Sequence, residues 1–175
     1  MPPNLPNPTL PNSKNLITIR IMSKPSLRER ALRYLSRRDY SRAELARKLA
    51  PHGTDGEIES ILDRMGELSL QSDARMAENW VRSHQGRFGR ARMQNELTRR
   101  GLARELIEEA ITNTDMASEL ERARVVWQSR YSALPCEARE WARQARFLLA
   151  RGFAAETIRA VLHGKYEENM EDETP

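Results

Sequence analysis

Leu97-Thr98-Arg99-Arg100-Gly101-Leu102-Ala103-Arg104-Glu105-Leu106-Ile107 has a second copy in pattern: Leu148-Leu149-Ala150-Arg151-Gly152-Phe153-Ala154-Ala155-Glu156-Thr157-Ile158. Leu, Arg, Gly, Ala, Glu and Ile recur at a constant separation of 51 positions. Leu49-Ala50-Pro51-His52-Gly53 matches Leu97 to Gly101 at a separation of 48. After Gly53 the first copy is one residue shorter, which brings Ile58 to the place of Ile107 and Ile158. A period of roughly 50 residues marks an array in which each supersecondary unit stacks on the next. Apolar residues within each copy fall at helical spacing, and no alternating β-branched run occurs. The expected fold is all-α: a tandem array of three three-helix repeats forming an elongated, curved body.

Working outward, nine helices are predicted. Ser26-Leu27-Arg28-Glu29 and Ser41-Arg42-Ala43-Glu44 are capping boxes. The first opens a helix with Leu27, Ala31, Leu32 and Leu35 inward, the second one with Leu45 and Leu49 inward. Asp55 is expected to cap a third helix carrying Ile58, Ile61, Leu62 and Met65. The fourth, about Asp73 to Gln85, turns Met76, Ala77, Trp80 and Val81 to one face, and the fifth, about Arg90 to Arg100, buries Met93 and Leu97. The sixth carries Leu106, Ile107 and Ile111. The seventh is expected to run from Asp115 to Tyr131, with Met116, Leu120, Ala123 and Trp127 inward. Pro135 opens the eighth, with Trp141, Ala145, Leu148 and Leu149 inward, and the ninth carries Ile158, Val161 and Leu162 to Gly164. Gly101 and Gly152 are equivalent helix stops that require positive φ. The implied organisation is a disordered leader at 1–25, repeats at 26–72, 73–113 and 114–166, and an acidic flexible tail at 167–175. Met22, just before the first helix, is an expected alternative start.

The 175 residues are 39% hydrophobic, 31% charged and only 6% aromatic, with mean hydropathy −0.73. Thin helical layers suit this composition better than one large core. No run approaches the roughly 18 apolar residues of a membrane span, so no membrane role is expected. Cys136, the sole cysteine, rules out an internal disulfide framework and fits a reducing cytoplasm. Net charge is +4, and residues 26–166 carry 26 basic against 20 acidic side chains. Of the 29 basic residues 25 are Arg, which suits bidentate phosphate or carboxylate contacts. No phosphate-cradling glycine motif is present, so no cofactor is expected. His52, His84 and His163 are far apart, so no metal site is expected, and Cys136 has no partner base, so no catalytic residue is assigned. Gly86-Arg87-Phe88-Gly89 reads either as a phosphate-gripping loop or as a helix-to-helix turn with Phe88 in the core.

The order of the motifs resembles the RecX family of bacterial regulators of the RecA recombinase, over about residues 26–164. The middle repeat carries most of it: Ser72-Asp73-Ala74-Arg75-Met76-Ala77, Trp80-Val81-Arg82-Ser83-His84, Gly89-Arg90-Ala91-Arg92-Met93, then Glu96-Leu97 and Gly101. Ser41-x-x-Glu44-Leu45-x-x-Lys48-Leu49 and Arg151-Gly152-Phe153 also match. Ser72, Met76, His84, Arg90 and Met93 depart from the family pattern. The resemblance implies a non-enzymatic inhibitor, expected to act as a cytoplasmic monomer. Its partner would be the RecA–single-stranded DNA filament, whose extension it limits, damping recombination and the SOS response. The alternative is a module that binds single- or double-stranded DNA directly through helix-turn-helix-like units. Candidate contact residues are Arg82, Arg87, Arg90, Arg92, Arg99, Arg139, Arg143 and Arg146. Arg92 and Arg99 are expected to point away from Met93 and Leu97, and Arg139, Arg143 and Arg146 to form a stripe at i, i+4, i+7. The stripes read equally as docking surfaces or as solvated faces with Glu96 and Glu140 interleaved.

Overall fold

The structure, a computed structural model, describes residues 24–114 and 117–163. The expected leader apart from Lys24 and Pro25, the acidic tail, Asp115, Met116 and Gly164 lie outside the described residues. Among the described residues there are nine α-helices, one 3-10 turn and no strand. The first unit holds α1 (Leu27–Leu35), α2 (Arg42–Leu49) and α3 (Asp55–Glu67), with the 3-10 turn Ala50–His52 between the last two. The second holds α4 (Asp73–His84), α5 (Arg90–Arg99) and α6 (Arg104–Asn113). The third holds α7 (Glu119–Gln128), α8 (Ala138–Leu149) and α9 (Ala155–Leu162).

Each unit has its own core. Leu45, Leu49, Leu62 and Met65 are fully buried in the first, Val81, Met93 and Leu97 in the second, and Ala123 and Leu148 in the third. A buried Leu contributes about 2 kcal/mol, and these cores hold only a handful each. Trp80 and Phe88 pack against the second core, Trp127 belongs to the third and Trp141 lies against it. Phe88 therefore follows the core reading of the Gly86–Gly89 turn. Among the described residues the hydrogen bonds between units join consecutive neighbours, so the three cores form an array rather than one globule.

The two glycine stops join the array. Gly101 has φ +86 and Gly152 φ +81. The Gly101 N–H donates to Thr98 and the Leu102 N–H to Leu97, a pairing repeated by Gly152 to Leu149 and Phe153 to Leu148. Both turns face the preceding unit. A Cβ on Gly101 would lie 2.5 Å from the Ala43 Cβ, and one on Gly152 would overlap the backbone of Arg92. Gly53 has φ −167, in extended backbone, and its neighbour is Leu27 of its own unit. Among the described residues, no unit precedes its own.

Several local expectations are corrected. Thr54 caps α3 with Glu57 in a capping box, and Asp55 is its first residue. Helix α7 begins at Glu119, because Ser118 and Glu121 form a capping box. It ends at Gln128, leaving Tyr131 beyond it but still packed on the third core. Helix α8 begins at Ala138, with Glu137 as its cap position, so Pro135 and Cys136 precede it. Leu32 and Leu149, expected inward, are exposed. Tyr34 and Leu35 cover the first core in place of Leu32.

Gly101→Val and Gly152→Val each add a Cβ where positive φ alone costs about 1 kcal/mol, with overlap on the preceding unit besides. Each glycine serves one junction, so the expected outcome is symmetrical. Differential scanning calorimetry should show Gly101→Val uncoupling the first unit and Gly152→Val uncoupling the third. An unchanged single transition in either variant would exclude a glycine-seated junction.

Candidate functional site

A trough runs along the second helix of every unit. Between α2 and α5 it is lined by Glu44, Arg47, Lys48, Glu96, Arg99 and Arg100, with a volume of about 350 Å³. Glu96 and Arg99 also line the next stretch, about 410 Å³, where Arg92 and Asn95 of α5 face Leu149, Gly152 and Phe153. Leu149 is shared with the last stretch, about 360 Å³, between α8 and α9, which holds Trp141, Ala145, Arg146, Ile158 and Arg159. Adjoining stretches share lining residues, Glu96 and Arg99 of α5 and Leu149 of α8.

Its charge is mostly positive and partly paired. Glu44 accepts from Arg100 Nη1 at 2.8 Å and from Arg38 Nη2 at 3.3 Å. Glu96 accepts from Arg99 at 3.1 Å, yet the Arg99 side chain remains 75% exposed. An exposed pair of this kind is worth under about 1 kcal/mol and leaves the guanidinium free to exchange partners. Arg47 donates to the carbonyls of Arg99 and Arg100 across the first junction. The far end is apolar: Leu149 is 60% exposed and Trp141 Nε1 is buried without a partner.

The eight arginines singled out in the sequence do not share one face. Arg92, Arg99 and Arg146 line the trough. Arg92 does not point free of the fold: its Nη1 donates to the Ala150 carbonyl at 2.7 Å and its guanidinium lies 4.5 Å from the Phe88 ring centroid. Arg82 reaches Asn79 on its own helix. Arg90 pairs with Glu108, and its backbone N–H donates to Glu119. Arg143 pairs with Glu140 at 3.1 Å and lies 5.8 Å from the Tyr131 ring. Arg82, Arg87, Arg90, Arg139 and Arg143 are not among the residues lining the trough.

Four lining cations were not singled out: Arg47, Lys48, Arg100 and Arg159. Arg100 was legible in principle, because it precedes the glycine stop as Arg151 does. Arg122 was not: it is a helix-interior residue only 8% exposed. It donates to Gln85 and Phe88 carbonyls of the second unit at 3.2 and 2.8 Å and to Ala117 at 3.2 Å. Burial is the main cause that lowers its guanidinium below the usual arginine range. Among the described residues no group of three or more His, Cys, Asp or Glu is placed to hold a metal ion.

Family models match each unit: the first three-helix domain of RecX over residues 28–65, the second over 72–111 and the third over 117–162. The chain belongs to the RecX family. The Regulatory protein RecX of Leptothrix cholodnii is 44% identical over 150 residues, covering 85% of this chain and 95% of that one. That of Chromobacterium violaceum is 40% identical over 146 residues, covering 83% and 94%. The crystal structure of RecX from Lactobacillus salivarius shares the fold, with TM-score 0.64 and 21% identity, covering 79% of this chain and 93% of that one. Where this chain departs from the RecX pattern, Met76 and Met93 stay in the core and Ser72 caps α4. His84 stacks on Trp80 at 4.1 Å.

Arg122→Leu strips the half-buried Gln85 and Phe88 carbonyls of their charged donor and should destabilise the fold by about 2 kcal/mol. Arg99→Gln removes an exposed charge and should change stability by less than about 0.5 kcal/mol. Urea midpoints for the two variants measure the contrast. Equal midpoints would mean that Arg122 does not join the units.

Proposed function

We propose that this RecX protein is a non-enzymatic regulator that acts on the RecA recombinase–single-stranded DNA filament in the cytoplasm. It binds as a monomer and limits filament extension, which damps recombination and the SOS response. The observation that supports this most is the series of adjoining clefts along the second helices. Its adjoining stretches bring cations of all three units together on their walls: Arg47 and Lys48, Arg92 and Arg99, then Arg146 and Arg159. Glu44 and Glu96 break the line of positive charge, which suits a partner carrying acidic and basic groups together, as a protein filament on DNA does. The exposed Leu149 adds an apolar contact that a naked phosphate backbone would not use. No described helix is long and apolar enough to cross a membrane.

RecA's DNA-dependent ATPase, titrated with this protein at substoichiometric ratios, tests the reading. Inhibition well below one protein per RecA is the expected result. Arg47→Glu with Arg99→Glu should weaken it by about tenfold or more at low salt and less at high salt, while helicity is kept. Full ATPase activity at equimolar protein would exclude the filament as the target. Inhibition that merely tracks removal of free DNA would favour the direct DNA-binding alternative.

A further inference from the structure

The two junctions are built alike but differ in charge at one equivalent place. Glu44 of α2 and Arg92 of α5 occupy one place in the repeat, 48 positions apart, and Arg100 and Arg151 occupy another, 51 apart. At the first junction Glu44 meets Arg100 at 2.8 Å, and Asp39 meets Arg75 at 3.4 Å. These two ion pairs cross the junction, and Arg47 crosses it to the Arg99 and Arg100 carbonyls. At the second junction the acid has become Arg92, and an arginine, Arg151, still stands where Arg100 stood.

Two further arginines join them. Arg151 lies 3.7 Å from the Phe147 ring centroid and donates to the Phe147 carbonyl at 3.2 Å. Arg130, exposed, lies 5.3 Å from the same ring, and Arg87, exposed, sits in the loop beside Phe88. Among the described residues, Arg87, Arg92, Arg130 and Arg151 form no ion pair with a carboxylate. Burial first, then the fields of Arg130, Arg92 and Arg87, hold the Arg151 guanidinium below the usual arginine range. Like charges gathered without a counter-charge oppose the docking of the third unit on the second. Aromatic rings hold the Arg92, Arg130 and Arg151 guanidiniums, with backbone carbonyls at Arg92 and Arg151, so these three are preorganised for an anion.

We infer that this junction binds the phosphodiester backbone of a single-stranded nucleic acid, whose phosphates clamp the second and third units together. A strand rather than a duplex fits because half-buried rings of Phe88, Tyr131 and Phe147 stand among the cations, and unpaired bases have free faces to lay against them. Bound phosphate takes the place that Glu44 holds at the first junction. The inference rests on the proposed function for its setting, a filament that contains such a strand, but it is tested without RecA.

The experiment is fluorescence anisotropy of a labelled 20-nucleotide oligodeoxythymidine with the full chain, from about 50 to 200 mM salt. Arg130→Gln with Arg151→Gln should weaken binding at least tenfold and flatten the slope of log K against log salt by about 1.4, two contacts at about 0.7 each. Arg28→Gln with Arg33→Gln, on α1, should change neither. Arg92→Glu places an acid opposite Arg151, so it should weaken binding while the thermal midpoint holds or rises. That result separates charge from misfolding. Hydrogen exchange gives a second readout, because the Gly89 and Ala91 amides cross the junction to Arg151 and Gly152 carbonyls at 2.9 and 3.3 Å. Both should slow when oligonucleotide is added, while the Arg42 amide, bound to Asp73 at the first junction, should not. Unchanged affinity and slope in the variants would overturn the inference. So would unchanged exchange at Gly89 and Ala91, or tighter binding of a duplex of the same length. If oligonucleotide binding fails while RecA inhibition persists, only this inference falls.

Discussion

A backbone without a Cβ, at positive φ, seated on the start of a helix in the preceding unit: that contact recurs at both junctions, and the array depends on it. At the first, Gly101 lies on Ala43, and the Ser41 hydroxyl donates to the Arg100 carbonyl at 2.5 Å. At the second, Gly152 lies against Arg92, and the Gly89 N–H donates to the Arg151 carbonyl at 2.9 Å. Gly89 is itself confined, since a Cβ there would overlap Gly152. These are close backbone approaches, so the distance between consecutive second helices is set by atoms that cannot adapt by changing rotamer. The spacing of the trough follows from them.

The cores play a different part. Each unit buries too little apolar surface to stand far above the entropy of ordering about 40 residues. Polar contacts cross both junctions: from Ser41, Arg42 and Glu44 at one, from Arg92 and Arg122 at the other. Polar junctions add little net stability but fix geometry, because a buried carbonyl left without its donor is costly. Arg122 is the plainest case: a charge brought into a low-dielectric place to satisfy two carbonyls of the neighbouring unit. A chain with 6% aromatics and 25 arginines is suited to that construction.

Electrostatic difference between equivalent places gives the protein its polarity along the array. Glu44 and Arg92 are the same position in the repeat, yet one neutralises its junction and the other charges it. Repeats that share a backbone can thus carry different surfaces, since side chains at junction rims are constrained in direction but not in charge. The apolar end of the trough, with exposed Leu149 beside Trp141, adds a third character in the last unit.

Helix content, the three-unit order, the two glycine turns and most core positions were legible in the sequence, because each rests on local spacing. Met76, Val81, Met93 and Leu97 are buried as their helical period requires. Boundaries set by competing local signals were less legible. Pro135 suggested a helix start that the chain delays to Ala138, and the capping box at Ser118 and Glu121 shortened α7 from its expected beginning. Leu32 and Leu149 lie on apolar stripes and are still exposed, because a stripe states which face is apolar and not how much of it a thin neighbour covers. The arginines were the least legible. Helical spacing alone does not place Arg92 on a carbonyl 58 residues away, draw Arg99 and Arg146 into one trough, or leave Arg90 paired outside it. Those outcomes depend on distances between units, and the distances exist only once the glycine turns have docked.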